Sequence, residues 1–206
     1  MKSGNKKLFN IVAARNGQLY EVRTETIGIM VSVADEIREL EEVPTGFKFG
    51  LPKIPGSMLS QIQCFFKEYC TEWMQNEVMV QIFWDLVEEK YIVECPHQMV
   101  KKDRIHATFN KRLEDDERFI EVCHIHSHNT MPSGFSEIDD ENEKAFMIYG
   151  VIGRLHRNEP DMDLRVGYNG KYFLLPLDYI FDNPKLDNPV MIAHPPEWSR
   201  RVHIIQ

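Results

Sequence analysis

The stretch Arg118–Leu155, RFIEVCHIHSHNTMPSGFSEIDDENEKAFMIYGVIGRL, decides the fold. RFIEVCHIH is rich in β-formers, so it predicts a strand. NTMPSGF is polar and contains Pro and Gly, which marks a loop. SEIDDENEKAFMIYG opens on Ser and acids, which suit the positive end of a helix dipole, and it predicts a helix. GVIGRL returns as a strand. The order is strand, loop, helix, strand.

Outward from this core, Met58, Leu59, Ile62, Phe65, Phe66, Tyr69 and Trp73 recur at helical spacing and predict an apolar-faced helix. EVMVQIFW from Glu77, KYIVEC and RIHATF read as strands, and KRLEDDER as a solvated, charged turn. LRVGY and KYFLLPL close the region as strands around Asn169-Gly170. The spacings are too tight for a parallel doubly wound sheet, whose crossovers need about a dozen residues or more. The fold class expected is α/β, as a mixed α/β sandwich. Before it, LFNIVAA and LYEVRTE flank Arg15-Asn16-Gly17-Gln18, a hairpin signal. TIGIMVSVA adds a strand candidate and DEIRELEEV a short helix. Residues 1–52 are therefore read as a β-rich appendage, with Phe47–Pro55 as linker, 53–181 as the main domain and 182–206 as a Pro-rich tail that wraps or pairs with a partner.

The chain has 206 residues, 43% of them hydrophobic, enough for a sizeable core. A net charge of −8 argues against a general grip on nucleic acid, which needs a basic surface. No apolar run approaches the roughly 20 residues that span a bilayer, and no signal-peptide stretch follows the basic start. The expected location is the cytoplasm. Four cysteines at irregular spacing, without a C-x-x-C pair, read as free thiols. Cys123, near the histidines, is read as a core residue rather than a nucleophile.

Histidines two apart on a strand share a face, so His126 and His128 can reach one ion. The loop can fold back and bring Asp139, in the first helical turn, as a third ligand. Three protein ligands and one open position are what catalytic zinc requires, and the open position holds water, whose pKa the ion lowers toward about 7. Ser136 reads either as the helix N-cap or as a hydroxyl that stabilises an oxyanion. Both stay open. His124 shares a face with Ile120 and Val122 and is read as a packed or supporting histidine.

The spacing His126-x-His128, seven residues, Ser136, two residues, Asp139 resembles the signature H-x-H-x(7)-S-x(2)-D of the JAMM (MPN+) metallopeptidases at every fixed position. The resemblance covers roughly Ile54 to Phe181 and looks most like bacterial and phage-borne members. It implies the cytidine-deaminase-like JAB/MPN type of sandwich. It implies Zn2+ on His126, His128 and Asp139, with Ser136 beside it. Glu77, opening a strand behind the first helix, matches the family's glutamate, the general acid/base. The implied reaction is hydrolysis of a peptide or isopeptide bond at the C-terminus of a ubiquitin-like protein, with E1-like or E2-like proteins as operon partners. Two positions depart from the pattern: Asn129 stands where many members have proline, and Val80 where glycine is common. Two alternatives stand beside this reading, a non-catalytic MPN-type scaffold and a DNA-associated JAB-domain protein of a mobile element. Barrel amidohydrolases also use H-x-H, but a barrel of about 250 residues is too long for this chain.

Overall fold

The structure is a computed structural model that describes residues 9–37, 40–187 and 192–205. Its contacts divide the chain into two units, Met1–Thr45 and Gly46–Gln206.

In the first unit, β1 (Phe9–Ala13), β2 (Leu19–Glu25) and β3 (Gly28–Val33) form an antiparallel sheet in the order β1-β2-β3. The expected hairpin turn lies between Ala13 and Leu19, where Gly17 takes φ +78°, a conformation that costs glycine no Cβ clash. The described residues of DEIRELEEV form no helix; Arg38 and Glu39 lie outside the described residues, as does Leu8 of the first strand candidate.

The second unit begins with residues expected as linker. Phe47, Phe49 and Leu51 pack against the core, the Tyr91 hydroxyl donates to the Pro52 carbonyl, and Ile54 is fully buried. β4 (Ile54–Pro55) leads into α1 (Gly56–Glu68). Leu59, Ile62, Phe65, Phe66 and Tyr69 are buried as the periodicity demands, but Trp73 lies beyond the helix and is 93% exposed. β5 (Met79–Asp85) and β6 (Lys90–Glu94) form a hairpin, followed by β7 (His97–Lys101), β8 (Arg104–Thr108) and the single turn α2 (Lys111–Glu114). β9 (Phe119–Ser127), α3 (Glu137–Asn142), β10 (Met147–Gly153), β11 (Asp161–Tyr168) and β12 (Lys171–Leu175) follow. The expected helix from Ser136 is therefore shorter, because Met147 onward is already strand. The chain closes with α4 (Leu177–Ile180), β13 (Phe181–Asp182), α5 (Pro196–Arg200) and β14 (Val202–Ile204).

The main sheet runs β12-β11-β10-β9-β5-β6. Only β9 and β10 are parallel, and the loop and α3 between them supply the crossover that parallel neighbours need. The architecture is mixed α/β, as expected. β5 is buried along its whole length, as befits an inner strand covered on both faces. One face joins Val80, Ile82, Cys123, Ile125, Ile148 and Ile152 to the apolar side of α1 in a single core. Cys123 is fully buried within it, and burial pushes its thiol far above the ordinary range, which suits a core residue. The tail packs on its own unit: Trp198 is buried in the same core, and β14 extends the small sheet β14-β7-β8.

These contacts set an expectation for truncation. A chain starting at Gly46 should fold and melt close to the full-length protein. One starting at Lys53 loses three core aromatic and aliphatic side chains and should melt roughly 5–10 °C lower. Thermal melts of the two proteins check this; equal melting temperatures would remove Phe47, Phe49 and Leu51 from the core.

Candidate metal centre

The opposite face of the main sheet carries polar groups. Met79 pairs with His126 and Gln81 with His124, and the Ser127 N–H bonds to the Val78 carbonyl at 2.9 Å. Continuing that ladder places Glu77 opposite His128. Directly opposed residues share a face, so β5 and β9 together bring Glu77, His126 and His128 to one side.

The loop after β9 is fixed to the end of β10. The His128 N–H donates to Ile152 O at 2.9 Å, Arg154 N–H to Met131 O at 2.7 Å and Leu155 N–H to Asn129 O at 2.8 Å. Gly153 permits this approach: a Cβ there would lie 2.4 Å from Met131 O and Ser133 N. Asn129 is buried with φ +49°, a left-handed conformation that asparagine tolerates and proline cannot adopt. Its side chain donates to Lys102 O at 3.1 Å, tying the loop to the tip of the β7–β8 hairpin. The departures at Asn129 and Val80 thus have structural roles, since Val80 is fully buried.

α3 returns Asp139 to the histidines. Nε2 of His126 and Nε2 of His128 lie 3.2 Å apart. Asp139 places Oδ1 3.3 Å from His126 Nε2 and Oδ2 3.9 Å from His128 Nε2. Tetrahedral zinc with ligand bonds of about 2.0–2.2 Å holds its ligand atoms roughly 3.3 Å apart, so the three donors fit such an ion. The tautomer of His128 fits too. Its Nδ1 lies 3.2 Å from the Pro132 carbonyl, which only accepts, so Nδ1 carries the proton and Nε2 offers its lone pair. Burial keeps His126 neutral, lowering its pKa to about 4 against the opposing pull of Asp139. Burial alone would raise the Asp139 carboxyl, but the charge of His126 in its protonated form and the hydrogen bonds from Ser136 outweigh it, so the carboxyl sits below its ordinary value. A neutral imidazole at His126 and an ionised carboxylate at Asp139 suit a metal ion, whose ligands must be deprotonated.

Ser136 is the N-cap of α3. Its hydroxyl accepts from the Asp139 N–H at 3.2 Å and donates to Asp139 Oδ2 at 2.6 Å, while its own N–H donates to the same oxygen at 2.7 Å. This capping box orients the carboxylate as well as the helix.

Glu77 is 7% exposed. Burial, then the charges of Asp139 and Asp103, push its pKa from 4.5 to about 8. Glu143 is raised to about 7, chiefly by burial, with Arg165 opposing. Both carboxyls bind protons in the folded state that they would release unfolded, between about pH 4.5 and 8. His126, lowered to about 4, gives the opposite slope only below its ordinary value of 6.5, so stability of the metal-free protein should fall as pH rises from about 6.5 to 8. Melting curves at pH 6.5 and pH 8 in the presence of chelator check the sign, and Glu77→Gln should flatten the slope. A melting temperature that rises across the window would mean Glu77 ionises freely.

β9 departs from strict alternation just before His124. The β5–β9 register shifts between Ile82 and Phe83, leaving Val122 as the extra residue of a β-bulge. The bulge turns Glu121 onto the face of His124, where its Oε1 lies 2.6 Å from His124 Nε2 and accepts a hydrogen bond from Gln81 Nε2. The expected grouping of His124 with Ile120 and Val122 is corrected accordingly. His124 packs between Phe109 and Tyr149 beside the metal site, and takes no part in the three-ligand cluster.

The sequence reading missed Arg165. Its side chain is 6% exposed and bonds to Asp140 and Glu143 on the segment that bears Asp139. The available signal was a lone arginine inside the apolar run LRVGY. Arg154 pairs with Asp161 at 2.6 Å.

Compared with models of known protein families and with curated proteins, the chain matches none.

Proposed function

We propose that this chain is a zinc-dependent hydrolase of peptide or isopeptide bonds, of the JAMM (MPN+) type, with a sandwich of the JAB/MPN kind. The observation that carries the reading is the convergence of His126 Nε2, His128 Nε2 and the Asp139 carboxylate within 4.8 Å of one another. Bound zinc would supply Lewis acidity and a nucleophile at neutral pH. His126, His128 and Asp139 would hold it. Glu77, buried and with a pKa raised to about 8, is suited to accept a proton from the attacking water and return it to the leaving amine. Ser136 would turn its hydroxyl from Asp139 toward the developing oxyanion.

The substrate class proposed is the C-terminal tail of a ubiquitin-like protein or its conjugate. β8 is the outer strand of its sheet, and the tip of its hairpin is tied to Asn129 and sets Asp103 close enough to act on Glu77. An extended tail could add to that edge by main-chain hydrogen bonds and run toward the site.

Incubation with a ubiquitin-like protein carrying a C-terminal extension, with and without chelator, tests the reaction. Cleavage should occur, stop on chelation and return with Zn2+; cleavage indifferent to chelation would refute the mechanism. Ser136→Ala refines it. We expect zinc to be retained, melting to change little and kcat to fall about 10²–10³-fold with KM nearly constant. A clear drop in melting temperature with kcat almost unchanged would return Ser136 to its capping role, whose loss costs about 0.5–2 kcal/mol.

A further inference from the structure

α3 carries Asp139 but has little of its own to hold it in place. It spans six residues, Glu137–Asn142, and none of them is buried. Helices shorter than about 12 residues are marginal without tertiary anchors. Three acids, Glu137, Asp139 and Asp140, crowd its first turn, and Glu143 follows.

The anchor is on β11. Arg165 pairs with Tyr149 on β10, and Tyr149 pairs with His124 on β9, so its side chain rises from the same sheet face as the histidines. Its Nη1 donates to Asp140 Oδ1 at 2.6 Å, and its Nε and Nη2 donate to Glu143 Oε2 at 2.8 and 2.5 Å. The guanidinium is also sandwiched: its Cζ lies 3.8 Å from the ring centroids of both Phe135 and Tyr172. Phe135 precedes the Ser136 cap, and Asp140 follows Asp139 directly. One planar cation thus grips the chain on both sides of the ligand. The Tyr172 hydroxyl adds bonds to the carbonyls of Asp140 and Glu143 at 3.1 and 3.2 Å.

We propose that Arg165 is the positioning residue for Asp139, setting the third metal ligand by clamping α3 to β11. This rests on the reading of His126, His128 and Asp139 as a metal centre. Arg165 touches neither metal nor substrate; it acts through α3. A lysine keeps the charge but loses the forked donors and the planar sandwich, so charge alone does not replace it.

The test measures Zn2+ affinity by competition with a chromophoric chelator, and the visible absorption of bound Co2+, on the full chain. The proteins are wild type, His126→Ala, Arg165→Lys, Asp140→Asn and Tyr91→Phe. Arg165→Lys should weaken Zn2+ binding about 10–100-fold, the range found when groups supporting a ligand are removed, and should alter the Co2+ spectrum. Asp140 is exposed, so Asp140→Asn should fold and still weaken binding. Tyr91→Phe perturbs the core away from α3 and should leave affinity unchanged. Affinity within twofold of wild type in Arg165→Lys overturns the proposal. So does a loss matched by Tyr91→Phe. Should Arg165→Lys fail to fold, wild-type affinity in Asp140→Asn overturns it instead. If wild type binds no Zn2+, or His126→Ala binds it as tightly as wild type, the metal-centre reading itself fails and the proposal falls with it.

Discussion

Glu77→Gln should keep the fold and the zinc and lose turnover by about 10²–10⁴-fold, the span assigned to a positioned general acid–base group. The amide is nearly isosteric and cannot shuttle a proton. The site explains why the effect should fall on kcat. Glu77 sits just before β5, buried, with its backbone N–H bonded to Lys101 O at 2.9 Å, so its position is set by that contact with β7. Gln98 reinforces that contact: its side-chain amide accepts from the Met79 N–H and donates to the Met79 carbonyl, each at 2.9 Å, acting as a strand partner would. Steady-state kinetics with metal analysis on the same preparation check this. Undiminished kcat in the Glu77→Gln protein would remove Glu77 as acid/base.

Replacing any of the three ligands should empty the centre. Wild type is expected to hold about one zinc per chain, and His126→Ala, His128→Ala and Asp139→Ala essentially none after dialysis, because two protein ligands do not make a tight site. The His126 and His128 variants should otherwise fold, since both side chains lie on the polar face rather than in the core joined to α1. Asp139→Ala carries a second effect. It removes the acceptor of both Ser136 bonds, so the first turn of α3 should loosen as well, visible as faster amide exchange there. Elemental analysis of the purified variants checks the set; full metal content in any one of them would refute that ligand.

The centre was legible because its elements obey local rules. The period of two put His126 and His128 on one face, and a serine three residues before an acid marks a helix start whether or not a metal is bound. Glu77 was found only through the resemblance, since an acid at a strand start is ordinarily solvated; its burial depends on the β7–β8 hairpin, and β7 itself, HQMVK, is too mixed to read as a strand alone. The bulge at Val122 escaped because two adjacent apolar residues, Val122 and Cys123, read equally well as part of a strand covered on both faces. Phe47, Phe49 and Leu51 were read as linker because Gly50, Pro52 and Pro55 punctuate that segment, yet their apolar side chains pack against the core. Trp73 fitted the helical period by chance after the helix had ended. Arg165 was hidden because a buried arginine makes sense only once its partners, distant in sequence, are known.

The most direct measurement of the central claim is X-ray diffraction from crystals of the purified protein, recorded on both sides of the zinc absorption edge. One anomalous peak per chain is expected, lying between His126 Nε2, His128 Nε2 and the Asp139 carboxylate and vanishing below the edge. Fully occupied, well-ordered side chains at that position with no anomalous peak, in protein prepared with Zn2+ present, would contradict it.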